Sequence, residues 1–378
     1  MIGRSCRVGR RCICLLESIC LLETGADAKY ESKKVAAMTT TSAAGAPVTP
    51  ERIMQFAWGY VPPLAIEAAI RHRVFDVLDD GPKTVAEVRR LTGASERGLA
   101  AIMNILVGLD FLAKDAAGAY RLTPESAAFL VSTKPGFQGG LIRHTSLQLL
   151  PRWLSLNDVV ATGRPVKAVN QEADGGEFFQ ELVMDIFPMS YPAAQALGRE
   201  LALGDEGGTV KVLDLAAGSG VWGIALAQAS ARVRVTAVDW PEVLPLTRKT
   251  VERFGLGDRF GYVAGDLLEA DFGEGYGVAT LGHILHSEGE ERSRRLLAKV
   301  FRAMAPGGTV AIAEFLVNED RTGPLTGLFF AANMLVNTEN GGTYSFEEIS
   351  GWLREAGFAK ARTMDAPGPS PLILASKP

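Results

Sequence analysis

The stretch Val212-Leu-Asp-Leu-Ala-Ala-Gly-Ser-Gly-Val-Trp-Gly223 runs from an apolar segment through a small-residue turn into a helical pattern. A second apolar segment, Val235-Thr-Ala-Val-Asp239, also ends in an acid. The turn needs glycine for tight backbone angles and for close approach of a ligand to the main chain. Asp239 lies 21 residues after Gly218, the place where a carboxylate at the tip of a second strand grips two ribose hydroxyls. These residues describe a nucleoside site at the first strand-to-helix crossing of a parallel sheet. The plainer alternative is a strand–helix turn with no ligand.

Three nucleoside cofactors compete for such a turn. An ATP-type phosphate loop requires GxxxxGK[ST], and no lysine follows these glycines. Gly218, Gly220 and Gly223 satisfy the GxGxxG spacing of dinucleotide sites, a pattern of low specificity. Asp214, four residues before Gly218, tilts the choice. A carboxylate repels a pyrophosphate but suits S-adenosylmethionine, which carries an ammonium and a sulfonium and no phosphate.

With these residues in view, the sequence resembles the class I S-adenosylmethionine-dependent methyltransferases, and within them the caffeate- and hydroxyindole-type small-molecule O-methyltransferases with an N-terminal dimerisation domain. The carriers are Leu213-Asp-Leu-Ala-Ala-Gly-Ser-Gly220, Val238-Asp-Trp-Pro241, Gly265-Asp266-Leu267, His283-Ile-Leu-His286 and Ala305-Pro-Gly-Gly308, in that order. The match extends from about Glu51 to the C-terminus. One departure is Ala216, where the family's DxGxGxG has its first glycine; the turn is expected to survive it. The resemblance implies that the backbone at Gly218 and Gly220 meets the methionine part of S-adenosylmethionine, that Asp239 takes the ribose, and that Asp266 and Leu267 cup the adenine. Asp266 is alternatively a turn residue or helix cap. Asp214 is expected to support the loop or the cofactor ammonium rather than to touch substrate.

Methyl transfer asks the protein to align acceptor, methyl carbon and sulfur in line, and to remove the acceptor's proton as attack develops. Histidine, with an unperturbed pKa near ~6.5, suits that work. The chain has four histidines, His72, His144, His283 and His286. The resemblance makes His286, after the fourth strand, the general base; the alternative is a cap on the helix Glu290–Met304. It makes Glu314, at the end of the fifth strand, the acid that holds the imidazole in one tautomer. The second acid of plant members has no match, because Thr343 stands there. His283 is read as packing or pocket wall, and His72 and His144 as structural. Asn333, Met334 and Asn337 correspond to pocket-wall positions. Met184 and Phe187, in an aromatic and Met-rich segment with Phe178, Phe179, Met189 and Tyr191, are either core or acceptor pocket. No carboxylate set for a magnesium ion stands out, so a metal-independent enzyme is expected.

These groups need elements to hold them. The C-terminal half alternates strands (Lys211–Leu215, Val235–Val238, Phe260–Ala264, Val278–Leu281, Thr309–Glu314, then a pair near Lys360 and Pro371) with helices (Val221–Ala229, Val243–Phe254, Glu290–Met304, Ser345–Ala356). That alternation predicts an α/β, doubly wound Rossmann-like methyltransferase domain with ligands at the carboxyl ends of the strands. The N-terminal region predicts a mainly α winged-helix dimerisation domain: helices from Glu51 to Trp58 and Pro63 to Leu78, a Thr84-capped and a Ser95-capped helix, and a hairpin around Gly118. A winged helix also suggests DNA binding, but the second of its helices, Ser95–Asp110, carries Arg97 alone. The expected divisions are 1–49, a disordered leader in which Met38 is the functional start; 50–136, the dimerisation domain; 137–203, a helical linker and pocket region broken by Pro188 and Pro192; and 204–378, the cofactor domain.

Composition narrows the class of protein. With 378 residues, 22% charged and 47% hydrophobic, the chain holds two ordinary globular cores. The net charge of −4 argues against a nucleic-acid or anionic-membrane partner. No apolar run approaches the ~18 residues of a membrane span. Cys6, Cys12, Cys14 and Cys20 are the only cysteines, so the folded body uses no disulfide. A cytoplasmic homodimer acting on a small hydroxylated metabolite is expected. The alternatives are C- or N-methylation, a relative that binds the cofactor without transferring methyl, and a cofactor-sensing DNA-binding regulator.

Overall fold

The structure, a computed structural model, describes residues 48–169, 179, 182–204 and 207–378. Most of the expected leader, with its cysteines and Met38, lies outside the described residues, as does Phe178. The chain divides into two units, one ending at Ala57 and the other spanning Trp58–Pro378. The described element of the first is the helix Glu51–Ala57, none of whose residues is buried.

In the second unit, the helix expected from Pro63 to Leu78 is two helices, Val61–Arg71 and Val74–Asp79, because Arg73 between them takes a left-handed conformation (φ 57°). Thr84 caps Val85–Thr92 in a reciprocal box with Glu87, and the Ser95 hydroxyl accepts from the Gly98 amide to start Glu96–Gly108. The hairpin β1 (Leu112–Lys114) and β2 (Tyr120–Leu122) follows, with Gly118 at φ 83° in its turn. Phe75, Leu99, Met103, Leu106 and Tyr120 form this region's core. The Tyr120 hydroxyl donates to Asn104 Oδ1 at 2.7 Å, so the buried ring leaves no orphan polar atom.

The large sheet has seven strands: β3 (Val210–Leu215), β4 (Val233–Asp239), β5 (Phe260–Ala264), β6 (Tyr276–Gly282), β7 (Met304–Ala313), β8 (Ala359–Met364) and β9 (Leu372–Ser376). Their order is β5-β4-β3-β6-β7-β9-β8. The pairs from β5 to β7 are parallel, whereas β9 runs antiparallel to both β7 and β8. The reversal follows from chain length: residues 365–371 suffice for an antiparallel return but not for a parallel crossover. The sheet is therefore a mixed Rossmann-like one.

Period-two alternation distributes side chains to two cores. On β3, Val212 joins the cluster under helix Val221–Ala229, while Leu213 and Leu215 join the one under helices Leu285–Ala303 and Phe346–Ala356. On the neighbouring β6, Val278 goes to the first and Ala279 and Leu281 to the second. Asp214 and its register partner Thr280 thus share the face toward helix Val221–Ala229. Pro192 does not break the linker as expected. Helix Phe187–Glu200 runs through it, and Pro188 sits in the first turn, where a missing amide costs nothing. No described helix is long and apolar enough to cross a membrane.

Candidate active site

The glycine turn after β3 carries three consecutive demands on the backbone. Ala216, Gly218 and Gly220 all have left-handed φ, at 50°, 55° and 77°. Glycine adopts this freely, but Ala216 does so at a cost of about 1–2 kcal/mol. The family's missing glycine is therefore a strained position in an intact turn. Gly220 caps helix Val221–Ala229, and the Thr247 hydroxyl donates to the Gly218 carbonyl at 2.6 Å.

Asp214 is fully buried. One oxygen accepts from the Gly223 amide at 2.9 Å and the other from the Thr280 hydroxyl at 2.7 Å. The side chain ties the turn's helix to two strands. Burial pushes its pKa up to about 7, against the pull of those two donors, and the nearby Asp239 charge adds to the rise. Both oxygens are engaged within the protein, so of the two expectations for Asp214 this geometry favours loop support.

Asp239 ends β4 and turns back on the glycine loop. Its Oδ2 accepts from the Gly218 amide and its Oδ1 from the Trp240 amide, each at 2.7 Å. Burial raises its pKa to about 6, opposed by the same two amides. Each oxygen keeps a lone pair for a further donor. Asp266, after β5, accepts from the Leu268 amide and pairs with Arg292, whose Nε also binds Glu288. Its observed contacts are those of a turn residue, while the adjoining Leu267 is buried. Trp240 meets Phe179 edge-on.

His286 sits in the single turn Leu285–Glu288. Gly289 (φ 78°, ψ 167°) breaks the long helix directly after it. His286 therefore precedes the expected helix Glu290–Met304 and does not cap it. The residue is 8% exposed and Glu314, one residue past β7, is 1% exposed. Nδ1–H donates to both carboxylate oxygens, at 2.9 and 3.0 Å. That bond fixes the tautomer and leaves Nε2 with its lone pair.

Phe330 meets the imidazole edge-on at 4.8 Å between centroids and stacks on Phe315 at 4.0 Å. Neither phenylalanine stood out in the sequence, although Phe315 directly follows Glu314 and Phe330 precedes Met334 by one helical turn. Two glycines let the loop 340–342 close on this turn. A Cβ on Gly289 would lie 2.6 Å from the Asn340 carbonyl, and one on Gly341 2.5 Å from that of His286. Gly342 then donates its amide to the His286 carbonyl. Thr343, in place of a second acid, donates to the Gly327 carbonyl and not to the imidazole.

The remaining expected residues separate. Asn333 accepts from the Trp153 indole and Asn337 donates to Asn333, on the same helix as Phe330 and buried Met334. Phe187, Tyr191 and Phe254 form one aromatic cluster in which Phe187 stacks on each of the other two, and the Met184 sulfur accepts from Thr250. For these two the contacts seen are those of the core alternative. Their contacts are packing against helix Leu244–Arg253 and its end, because an amphipathic segment crossing that helix must cover its apolar face. His283 lies 6.3 Å from His286 between ring centroids, and His283, His286 and Glu314 form the described trio able to hold a metal ion. His144 is buried and bonds Gln148 at 2.5 Å; His72 is exposed.

A seven-stranded Rossmann-like sheet with a glycine turn after β3, an acid at the end of β4 and a buried His–Glu pair is the arrangement of a Rossmann-like methyltransferase. Two family models match the chain: an O-methyltransferase domain at residues 199–359 and an O-methyltransferase dimerisation domain at 54–132. The 3-hydroxy-5-methyl-1-naphthoate 3-O-methyltransferase of Streptomyces sahachiroi is 28% identical, over 90% of this chain and 100% of its own length. The tetracenomycin polyketide synthesis 8-O-methyl transferase TcmO of Streptomyces glaucescens is 27% identical, over 87% and 97%. A solved structure of PigF with SAH, a protein of Serratia, superposes with a TM-score of 0.77 at 26% identity, covering 88% of this chain and 100% of that one. The chain belongs to the S-adenosylmethionine-dependent O-methyltransferases that carry an N-terminal dimerisation domain. The donor set suits that cofactor: the Asp239 carboxylate stands at the end of β4 beside the glycine turn, and no lysine or arginine lies in residues 214–223.

Proposed function

We propose that this enzyme methylates a hydroxyl of a small aromatic or polyketide-like metabolite, with His286 as general base and Glu314 as the residue that positions it. The reading rests on one observation above all: a buried imidazole whose Nδ1 is committed to a buried carboxylate, with Nε2 left to accept a proton. The naphthoate and tetracenomycin activities of two full-length relatives support the acceptor class.

Bound S-adenosylmethionine supplies a methyl group on a sulfonium, already a strong electrophile. Gly218, Gly220 and Asp239 hold its methionine and ribose parts, and Leu267 with Asp266 flanks the adenine. His286 Nε2 takes the hydroxyl proton as the acceptor oxygen attacks, and Glu314 stabilises the imidazolium that forms. Phe315 and Phe330 keep water from the imidazole and offer flat apolar faces to an aromatic acceptor. Asn333, Met334 and Asn337 line the far side of that pocket.

The enzyme works as a homodimer through residues 50–136. Met54 (61%), Trp58 (66%) and Tyr60 (51%) are exposed apolar side chains within a region that matches a dimerisation domain. Light scattering should give twice the chain mass.

Product mass after incubation with labelled S-adenosylmethionine and a panel of naphthols, hydroxynaphthoates and other phenols tests the reaction: a gain of one methylene unit marks transfer. His286→Ala should cut turnover by about 10²–10⁴-fold, the worth of a positioned general base, while S-adenosylhomocysteine affinity by calorimetry stays within about twofold. Undiminished turnover would instead point to C- or N-methylation of a nucleophile that needs no base.

A further inference from the structure

His283 is not needed for the proton transfer just described, yet the fold sets it there at some cost. It follows Gly282 at the end of β6 with a left-handed φ of 60°, a conformation that persists in non-glycine residues where the surroundings impose it. Its Nδ1 is buried with no hydrogen-bond partner. Its Nε2 lies 3.5 Å from the Ser370 hydroxyl. Burial holds the ring neutral, with a pKa lowered to about 4, so a lone pair stays available at neutral pH.

One ligand atom from each of His283, His286 and Glu314 falls within 4.8 Å of the other two. We propose that these three side chains form an inhibitory binding site for a divalent transition ion of the zinc type. Two imidazoles and one carboxylate are a donor set that zinc, cobalt and nickel favour and that magnesium and calcium do not. Ligands at 2.0–2.1 Å from one ion stand roughly 3.4 Å apart in a tetrahedron. From an upper separation of 4.8 Å the trio tightens by at most about 1.4 Å, while the His286–Glu314 pair, now at 2.9 Å, opens by about 0.5 Å. The fourth position stays open to water or to an acceptor oxygen.

The consequence for catalysis follows from proton placement and rests on His286 being the base. His286 Nδ1 carries the ring's proton and donates it in a hydrogen bond to Glu314. An ion that takes the Nδ1 lone pair shifts that proton to Nε2, and the imidazole remains neutral. Nε2 then has no lone pair to receive the acceptor's proton. Binding and catalysis compete for one imidazole.

The test uses the full chain with its cysteines alkylated, since Cys6, Cys12, Cys14 and Cys20 are the thiols that would compete for the ion. Calorimetry with zinc chloride should give one ion per chain, and magnesium chloride no saturable heat. Cobalt(II) should give a ligand-field absorption spectrum of nitrogen and oxygen ligands, a readout that needs no variant. His283→Asn keeps a residue type that tolerates positive φ. It should melt like the parent, retain turnover, weaken zinc by more than the roughly 10–100-fold that loss of a ligand's outer partner costs, and lose zinc inhibition. In the parent, zinc should suppress methyl transfer and a chelator should restore it. Absence of zinc binding, or equal zinc affinity in His283→Asn, overturns the site. Zinc binding that depends on His283 but leaves turnover intact supports the site and overturns His286 as the base.

Discussion

Replacing Glu314 by glutamine isolates the charge of the positioning acid from its shape. Glutamine keeps an oxygen that accepts from His286 Nδ1–H, so the tautomer that exposes Nε2 survives. What disappears is the negative charge 2.9 Å from a ring that becomes positive during proton transfer. At that separation, with an effective dielectric of about 20, full unit charges attract by about 6 kcal/mol. With about half the proton transferred in the transition state, about 3 kcal/mol of stabilisation is lost, or about 10²-fold in kcat. The measurement is turnover of a naphthol with saturating labelled S-adenosylmethionine, together with KM for both substrates. Because Glu314 bears on the transition state alone, kcat should fall while the KM for S-adenosylmethionine changes little. Acidic nitro-substituted phenols, which ionise without help, should lose less. A drop in kcat below about threefold with an ordinary phenol would refute the His286–Glu314 mechanism.

Other expectations follow from the cofactor crossing. Asp239→Ala removes the acceptor of two backbone amides and, on the proposed reading, of the ribose; at about 1.5–3 kcal/mol for each bond to a charged group, S-adenosylhomocysteine should bind at least about 10²-fold more weakly by calorimetry. Unaltered binding would exclude this residue from the site. In the parent, the same affinity should fall as pH drops through about 6, where Asp239 takes up a proton and loses acceptor capacity; a flat titration from pH 7 to 5 would contradict this. Ala216→Gly relieves a left-handed alanine and should raise stability by about 0.5–1 kcal/mol in denaturant unfolding, and an unchanged midpoint would mean that the turn is unstrained. Asp214 is the reverse of a salt-bridged acid. Its folded pKa of about 7 exceeds the unfolded value near 3.8, so the native state binds the extra proton between those pH values. Its contribution therefore weakens as pH rises from about 4 to 7, by at most about 1.4 kcal/mol per pH unit. Asp214→Asn should flatten that slope, gaining on the parent as pH rises; a variant with the parent's pH profile would show that Asp214 is ionised throughout.

Local chemistry carried much of this protein in its sequence. Strand alternation, the 216–220 turn, the Thr84 and Ser95 caps and the hairpin at Gly118 depend on neighbours a few residues away, and their structural positions match the pattern closely. The approach of His286 to Glu314 was legible only through the family resemblance; the structure brings the two together past the ends of the adjacent parallel strands β6 and β7.

Tertiary packing alone decided the rest. Whether the buried Asp214 finds a donor depends on a partner, Thr280, on another strand. The packing of Phe187 on Phe254 and of Met184 on Thr250 depends on how one helix crosses another. The aromatic wall of Phe315 and Phe330, and the second imidazole at His283, arise where β6, β7 and the helix Leu325–Asn337 converge. Side chains distant in sequence meet by burial of apolar surface, a non-directional force that leaves no local spacing to read.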